Sequence, residues 1–390
     1  MTRFPIPPRH APEVLFAFIR FHHVFSSAWT KRLIPHRLPQ FVPFVAEMGQ
    51  RRWPVPALAT RHELANWLGV DDGELAWFAD QRGMLKGAPG GALHHYRYSW
   101  LERGERVGRL LEAPKPRLKA LQRKILDELL IHVPVHEAAH GFVSGRSVLT
   151  HAALHSGQPM VMRFDLRAFF TSVTARRAHA TFVALGYPIA VVRSLVGVCT
   201  TRTPFQVLRQ APFPTPFDSS VSRARFAQQQ SLGERHLPQG APTSPCLANL
   251  AAYVLDVRLA SLAEKLNLRY SRYADDLVFS GTMRCGALHE QVRLITREEG
   301  FELNDEKTRA MPSSARQSVT GVVVNERPNF ARHDFDLLKA QLHRLRTSGP
   351  ADNAQRAELQ GRIGWVRQLN SPRAEKLQKT FDQIVWNAPG

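Results

Sequence analysis

The chain has 390 residues, 44% of them hydrophobic, which is enough for real cores and for two or three subdomains. Lys and Arg outnumber Asp and Glu by 52 to 33, a formal charge of +19 that fits a protein tracking a phosphate backbone, and equally a ribosomal or chromatin protein. Cys199, Cys246 and Cys285 form no C-x-x-C pair and no disulfide framework, no run reaches the ~18 apolar residues of a membrane span, and Pro5, Pro7 and Pro8 interrupt any cleavable signal pattern, so a cytoplasmic protein is expected.

Residues 1 to about 60 carry an apolar patch from Val14 to Phe25, then a Pro- and Arg-rich stretch that matches no motif. Arg61 to Phe78 reads as two short helices joined at Gly69, a helix-turn-helix outline. The pairs His22-His23 and His94-His95 lack zinc-site spacing and read as surface or RNA-facing. Leu118 to Ile131 is an amphipathic helix with Lys119 and Arg123 on its polar face. Val161 to Leu166 reads as a short buried strand ending in Asp165, which is either a functional acid or the cap of the helix that follows. Arg202 to Arg235 is a long loop or helical insertion. Next come a rigid turn, Leu237 to Pro245, and a helix running on to Leu255, with Ser244 as its cap and Pro245 in its first turn.

Two strand-like segments, Leu268 to Tyr273 and Leu277 to Ser280, flank the adjacent acids Asp275 and Asp276. Side by side in apolar surroundings, these carboxylates repel and resist burial unless a cation neutralises them. They mark either a hairpin carrying a divalent metal or an ordinary Asp-Asp turn. Beyond Pro328, helical patterns recur near Asp334 to Leu345, Asn353 to Leu369 and Pro372 to Val385.

Taken together, Phe164-Asp165 with Phe169-Phe170, Leu237-Pro238-Gln239-Gly240 with Ser244-Pro245, and Tyr273-Ala274-Asp275-Asp276 resemble motifs A, B and C of reverse transcriptases. Gly300 to Thr308 resembles motif D, and the likeness covers roughly residues 90 to 385. It implies an α+β right-hand polymerase (fingers, palm and thumb) with a ferredoxin-like antiparallel palm sheet, a helical N-terminal extension and a helical thumb. The boundaries expected are 1–90 for the extension, 91–328 for fingers and palm, and 329–390 for the thumb. The resemblance also implies nucleotidyl transfer with two Mg²⁺ ions, for which Mn²⁺ can substitute. Asp165, Asp275 and Asp276 would be the metal ligands, joined by the main-chain carbonyl of Leu166. Phe170 falls at the family's steric gate against a ribose 2′-hydroxyl, with Phe169 and Phe170 both open to a core role. Gln239 and Gly240 would face nucleotide and template, and Lys307 would donate a proton to pyrophosphate, contact phosphate or simply be solvated. Arg109, in Arg109-Leu110-Leu111-Glu112-Ala113-Pro114, matches the fingers pattern and would clamp the triphosphate.

Val319-Thr320-Gly321 resembles the Val-Thr-Gly signature of retron enzymes, and otherwise reads as a β-branched strand. His151 to His155 resembles their Asn-Ala-x-x-His element, with His151 in place of Asn, and His140-Gly141-Phe142 with Gly145-Arg146-Ser147 resembles the segment before it. RNA or primer contacts are expected at His151, His155, Val319, Thr320 and Gly321. The partners implied are dNTPs, a cognate structured non-coding RNA and its RNA–DNA product, and a retron effector protein, with a role in phage defence. Alternatives are a group II intron-like or CRISPR-associated reverse transcriptase, and a non-catalytic RNA-binding scaffold on a polymerase fold. Intron enzymes carry a maturase domain for which this chain offers no length, and a scaffold has no need of three metal-binding acids.

Overall fold

The computed structural model describes residues 46–84, 94–104, 106–212, 219–348 and 352–387. The apolar patch at 14–25 and the His22-His23 pair lie outside them. Helices α1 (Arg61–Leu68) and α2 (Asp72–Phe78) are joined at Gly69; Thr60 caps the first, and Asp71 caps the second in a reciprocal box with Glu74. Leu64, Leu68, Leu75 and Phe78 enter the same core as the central sheet, so the helix-turn-helix outline is a buttress of the body of the molecule.

His94 and His95 are buried, against the expectation of a surface or RNA-facing pair. His95 hydrogen-bonds the Trp77 carbonyl at 2.9 Å and meets the Trp77 ring edge-on at 4.4 Å; burial lowers its pKa, so the neutral ring behaves as a core residue. Strands β1 (Tyr96–Arg103) and β2 (Arg106–Pro114) then form an antiparallel hairpin. Helix α3 (Pro116–Glu128) buries Leu118, Leu121 and Ile125 and leaves Lys119 and Arg123 in solvent.

After α4 (Val148–Ala153) comes β3 (Met160–Asp165), then helices α5 (Phe169–Ser172), α6 (Ala175–Ala184) and α7 (Ile189–Cys199). Asp165 does not cap α5, whose N-cap position belongs to Ala168 with no side-chain bond. The 202–235 interval is helical where described, as α8 (Phe205–Arg209) and α9 (Ser219–Gly233). The helix expected up to Leu255 is broken at Ala252 into α10 (Ser244–Ala251) and α11 (Tyr253–Lys265), bent by 51°. Ser244 is not its cap: Thr243 holds that place, and the Ser244 hydroxyl donates to the Pro238 carbonyl at 2.7 Å, locking the preceding turn. Among the described residues, no single helix is long and apolar enough to cross a membrane.

Strands β4 (Arg269–Tyr273) and β5 (Asp276–Ser280) form the hairpin read from sequence, followed by α12 (Cys285–Glu298) and β6 (Arg309–Pro312). The resulting four-stranded sheet is antiparallel throughout, in the order β4-β5-β3-β6. Its order puts β3 and β5 side by side, and with them the acids at their ends. A small hairpin, β7 (Ser318–Val319) and β8 (Val322–Val323), leads to three helices, α13 (Arg332–Thr347), α14 (Ala354–Leu369) and α15 (Ser371–Phe381). These helices close a core of their own around Leu338, Leu342, Leu359, Ile363 and Leu377.

Candidate active site

Sheet register decides the position of the acids. Asp165, the last residue of β3, pairs directly with Asp276, the first of β5, and the Leu166 amide donates to the Asp275 carbonyl at 2.8 Å. Like charges directly opposite on a sheet are destabilising, and burial adds to the effect. Burial first, then the charge of Asp165, raises the pKa of Asp275. Asp276 is pushed up to about 6 by burial, with Asp275 and Asp165 adding to it against the pull of Arg163, whose Nε lies 3.9 Å away. The hairpin turn carrying the pair places Ala274 at φ 54°, a left-handed conformation that costs a non-glycine residue about 1–2 kcal/mol.

Lys307 is not a freely solvated lysine. Its ammonium bridges both carboxylate oxygens of Asp165 at 2.8 and 2.7 Å, and Asn304 adds its amide and side chain to the same residue. On the β1–β2 hairpin, Arg109 alternates with the inward-facing Leu110 on β2 and is exposed; its Nε donates to Gln239 Oε1 at 2.5 Å. Two residues singled out 130 positions apart are therefore in contact. Gly240 is exposed at φ 130°, and a Cβ there would lie 3.2 Å from the Glu112 carbonyl, so the close approach it permits within the fold is that of strand β2. Phe169 is buried against Phe301, whereas Phe170 is half-exposed.

Three of the expected nucleic-acid contacts, His151, His155 and Val319, do not reach the surface. His151 and His155 are fully buried beneath the β4–β5 hairpin: His155 bonds the Ser280 and Ser271 hydroxyls at 2.7 Å each, and His151 bonds Ser271 at 2.9 Å. Burial, with neighbouring positive groups, lowers their pKa values to about 2 and about 3, so both rings are neutral and support the sheet instead of touching RNA. The Val319 side chain is likewise in a core with Val161, Val278 and Val322. Thr320 is half-buried and Gly321 exposed at the tip of the β7–β8 turn, which leaves that tip as the part of the signature able to meet a partner.

Among the described residues no three His, Cys, Asp or Glu side chains converge as a ready-made metal cage. The acids instead form an open, half-desolvated cluster of like charge, which fits a divalent cation whose shell substrate phosphates complete. Residues 106–324 match the family model of the reverse transcriptase (RNA-dependent DNA polymerase). The chain is 38% identical over 362 residues to the Retron Mx65 reverse transcriptase of Myxococcus xanthus, covering 91% of this chain and 78% of the relative. It is 33% identical to the Retron Mx162 reverse transcriptase of the same organism (79% and 64% covered) and 29% identical to the Retron Ec86 reverse transcriptase of Escherichia coli (62% and 66%). The chain is a retron-type reverse transcriptase. It is thus an RNA-directed DNA polymerase, of a family that generally uses divalent metal ions.

Two polar assemblies that position the reverse transcriptase's acids and its Arg109–Gln239 pair escaped the sequence reading. In the first, the fully buried Arg272 donates from Nε and Nη2 to the two oxygens of Asp256 at 2.8 and 2.6 Å, and from Nη1 to Asn249 at 2.9 Å and the Ala274 carbonyl at 3.0 Å. In the second, Glu112 is buried between the Thr203 hydroxyl at 2.7 Å and His236 Nε2 at 2.8 Å, while the other His236 nitrogen meets the Glu234 carbonyl. The signal for Glu112 was legible: it shares the inward register of β2 with Leu110 and Pro114, and a charge on an apolar face demands a partner. Asp256 similarly shares a buried helix face with Leu255 and Leu259.

Arg272→Met leaves Asp256 buried without its counter-charge and should cost about 3–5 kcal/mol in urea unfolding. The double change Arg272→Met with Asp256→Leu should recover much of that stability without restoring polymerisation, because the Ala274 carbonyl stays unheld. For His236, burial is the largest influence and lowers the pKa, but the Glu112 charge, the hydrogen bond to it and the Glu234 carbonyl together raise it. Its stabilising contribution is complete below the unfolded value of about 6.5 and is lost as pH rises through the elevated folded value. Unfolding free energies measured from about pH 6 to about pH 9 should decline accordingly, and His236→Gln should flatten that component of the slope.

Proposed function

We propose that this enzyme copies part of a cognate structured non-coding RNA into single-stranded DNA, with a place in phage defence alongside an effector protein. The observation that carries the catalytic half is Asp165 opposite Asp276, with Asp275 beside them and within electrostatic reach of Arg109, which bonds Gln239. In this reading the central sheet is the palm, the β1–β2 hairpin belongs to the fingers and helices α13 to α15 are the thumb, with boundaries near 90 and 328. The Asp165, Asp275 and Asp276 carboxylates, with the Leu166 carbonyl, would hold two Mg²⁺ ions, which when bound would supply Lewis acidity for a primer hydroxyl and for the pyrophosphate leaving group. The primer oxygen bonds to the α-phosphorus as the bond to pyrophosphate breaks. Arg109 grips the triphosphate through its guanidinium, Gln239 orients that guanidinium, and Phe170 stands against a ribose 2′-hydroxyl. Lys307, held at Asp165, is positioned to balance carboxylate charge and to pass a proton to pyrophosphate.

The retron assignment draws on the relatives, which are retron reverse transcriptases of Myxococcus xanthus and Escherichia coli. Asp275→Asn combined with Asp276→Asn should abolish dNTP incorporation on a primed RNA template while RNA binding, measured by gel shift, persists. Continued polymerisation by that variant would remove the metal assignment. Expression of the gene with its flanking DNA should yield a discrete single-stranded DNA whose gel mobility shifts on RNase treatment, absent from the double variant. Primer extension without such a product would point to a reverse transcriptase of another lineage, group II intron-like or CRISPR-associated.

A further inference from the structure

Phe142 has a backbone conformation and an exposure that core packing does not explain. Its φ is 60°, a genuine outlier for a bulky residue, and the residue is 57% exposed. A large ring held out of the core gains little from burial, and the left-handed backbone works against it. Strain of this kind persists only where surrounding contacts impose it, and it concentrates at functional sites.

Those contacts tie the Phe142 loop to the catalytic turn. The Arg146 guanidinium donates to the carbonyls of His136, Glu137 and Ala139 at 3.0, 2.8 and 2.5 Å, drawing the loop into a tight curl. Its leading edge runs beside β4: the Arg272 amide donates to the Ala138 carbonyl, and the His140 amide to the Arg272 carbonyl, both at 2.7 Å. Asn249 Nδ2 donates to the Gly141 carbonyl at 2.9 Å. A Cβ on Gly141 would lie 2.7 Å from the Ala274 amide nitrogen, so this backbone sits directly on the turn that carries Asp275 and Asp276. The direction of the Phe142 ring is therefore set by the same network that sets the acids.

That ring faces Phe170 edge-on at 6.2 Å and lies tilted to the Tyr273 ring at 6.3 Å. Phe170 is half-exposed and projects from a helix of only four residues, whose other ring contact with it is Phe169 at 5.6 Å. An edge-to-face neighbour restricts the rotamers of a partly exposed ring.

We propose that Phe142 is a positioning residue for sugar selection, its ring holding Phe170 in the orientation that excludes a ribose 2′-hydroxyl. This inference rests on the reading of Phe170 as the sugar gate. Two apolar rings at the C2′ side accept a deoxyribose, whereas a ribose would bury its hydroxyl there without a partner.

The test is single-nucleotide incorporation by the purified chain on a primed RNA template, comparing kcat/KM for a dNTP with that for the matching rNTP. Phe142→Gly suits the left-handed backbone, so loss of the fold is not expected, and thermal melting checks it. The dNTP-to-rNTP ratio should fall about tenfold, the scale of one edge-to-face aromatic contact. Phe142→Leu should show the same fall, while Phe142→Tyr, which keeps the ring, should restore the wild-type ratio. Phe170→Ala sets the scale for loss of the gate. An unchanged ratio in Phe142→Gly and Phe142→Leu beside a collapsed ratio in Phe170→Ala would overturn the inference and leave the gate standing. An unchanged ratio in all three would remove both.

Discussion

The buried ion pair between Arg272 and Asp256 is the constraint on which the active site depends. Five groups meet at this guanidinium or lean on its partner: two oxygens of Asp256, the Asn249 amide, the Ala274 carbonyl, and the Tyr270 hydroxyl, which donates to Asp256 at 2.8 Å. One charge thus connects helix α11, helix α10, strand β4 and the catalytic turn. Removing two ions from water is unfavourable, and such a pair persists when its hydrogen bonds are nearly complete and its geometry is fixed. Here the geometry matters because Ala274 takes a strained backbone and the following residue is Asp275. A mobile turn would relax, and the acids would lose their register with Asp165.

Around that anchor, charge is arranged by depth. Below the sheet, His151 and His155 are neutral and hydrogen-bonded to serines, so no positive charge underlies the hairpin from those rings. At the ends of the central strands the carboxylates crowd together, countered by Lys307 on Asp165 and Arg163 near Asp276. Farther out, Arg109 is exposed on its hairpin. A cation-accepting cluster facing a cationic arm suits a polyanionic substrate that arrives with metal ions.

The β1–β2 hairpin is not an independent arm. Glu112 ties it from within to His236 and Thr203, and the Glu112 amide donates to the Gln239 carbonyl at 2.8 Å. Trp100 and Gly108 are bonded in turn by the helical insertion, through the Val207 carbonyl and the Gln228 amide. The segment carrying Gln239 and the strand carrying Arg109 therefore keep one register, and their outer contact follows from the buried one.

Local pattern made much of this legible. Short apolar and aromatic runs marked β3, β4 and β5, the acid pair marked the β4–β5 turn, and helical periodicity marked α1, α2, α3 and the three C-terminal helices within a few residues. Motif order alone pointed to Asp165, Asp275 and Asp276 as one site. Side-chain surroundings were not legible, because burial depends on what another element lays over a residue. His155 and Val319 match a signature in sequence and His151 stands in place of its Asn, yet all three lie under the sheet or in a core, and His94 and His95 were covered by α2 and its neighbours. The break at Ala252, the cap at Thr243 and the Arg272–Asp256 pair also needed the tertiary structure. By itself the sequence determined which chemistry the chain carries, since residue type and strand period are local properties. Only the tertiary structure decided which of those residues face a substrate and which hold the others in place, because that is settled by contacts between segments far apart in the chain.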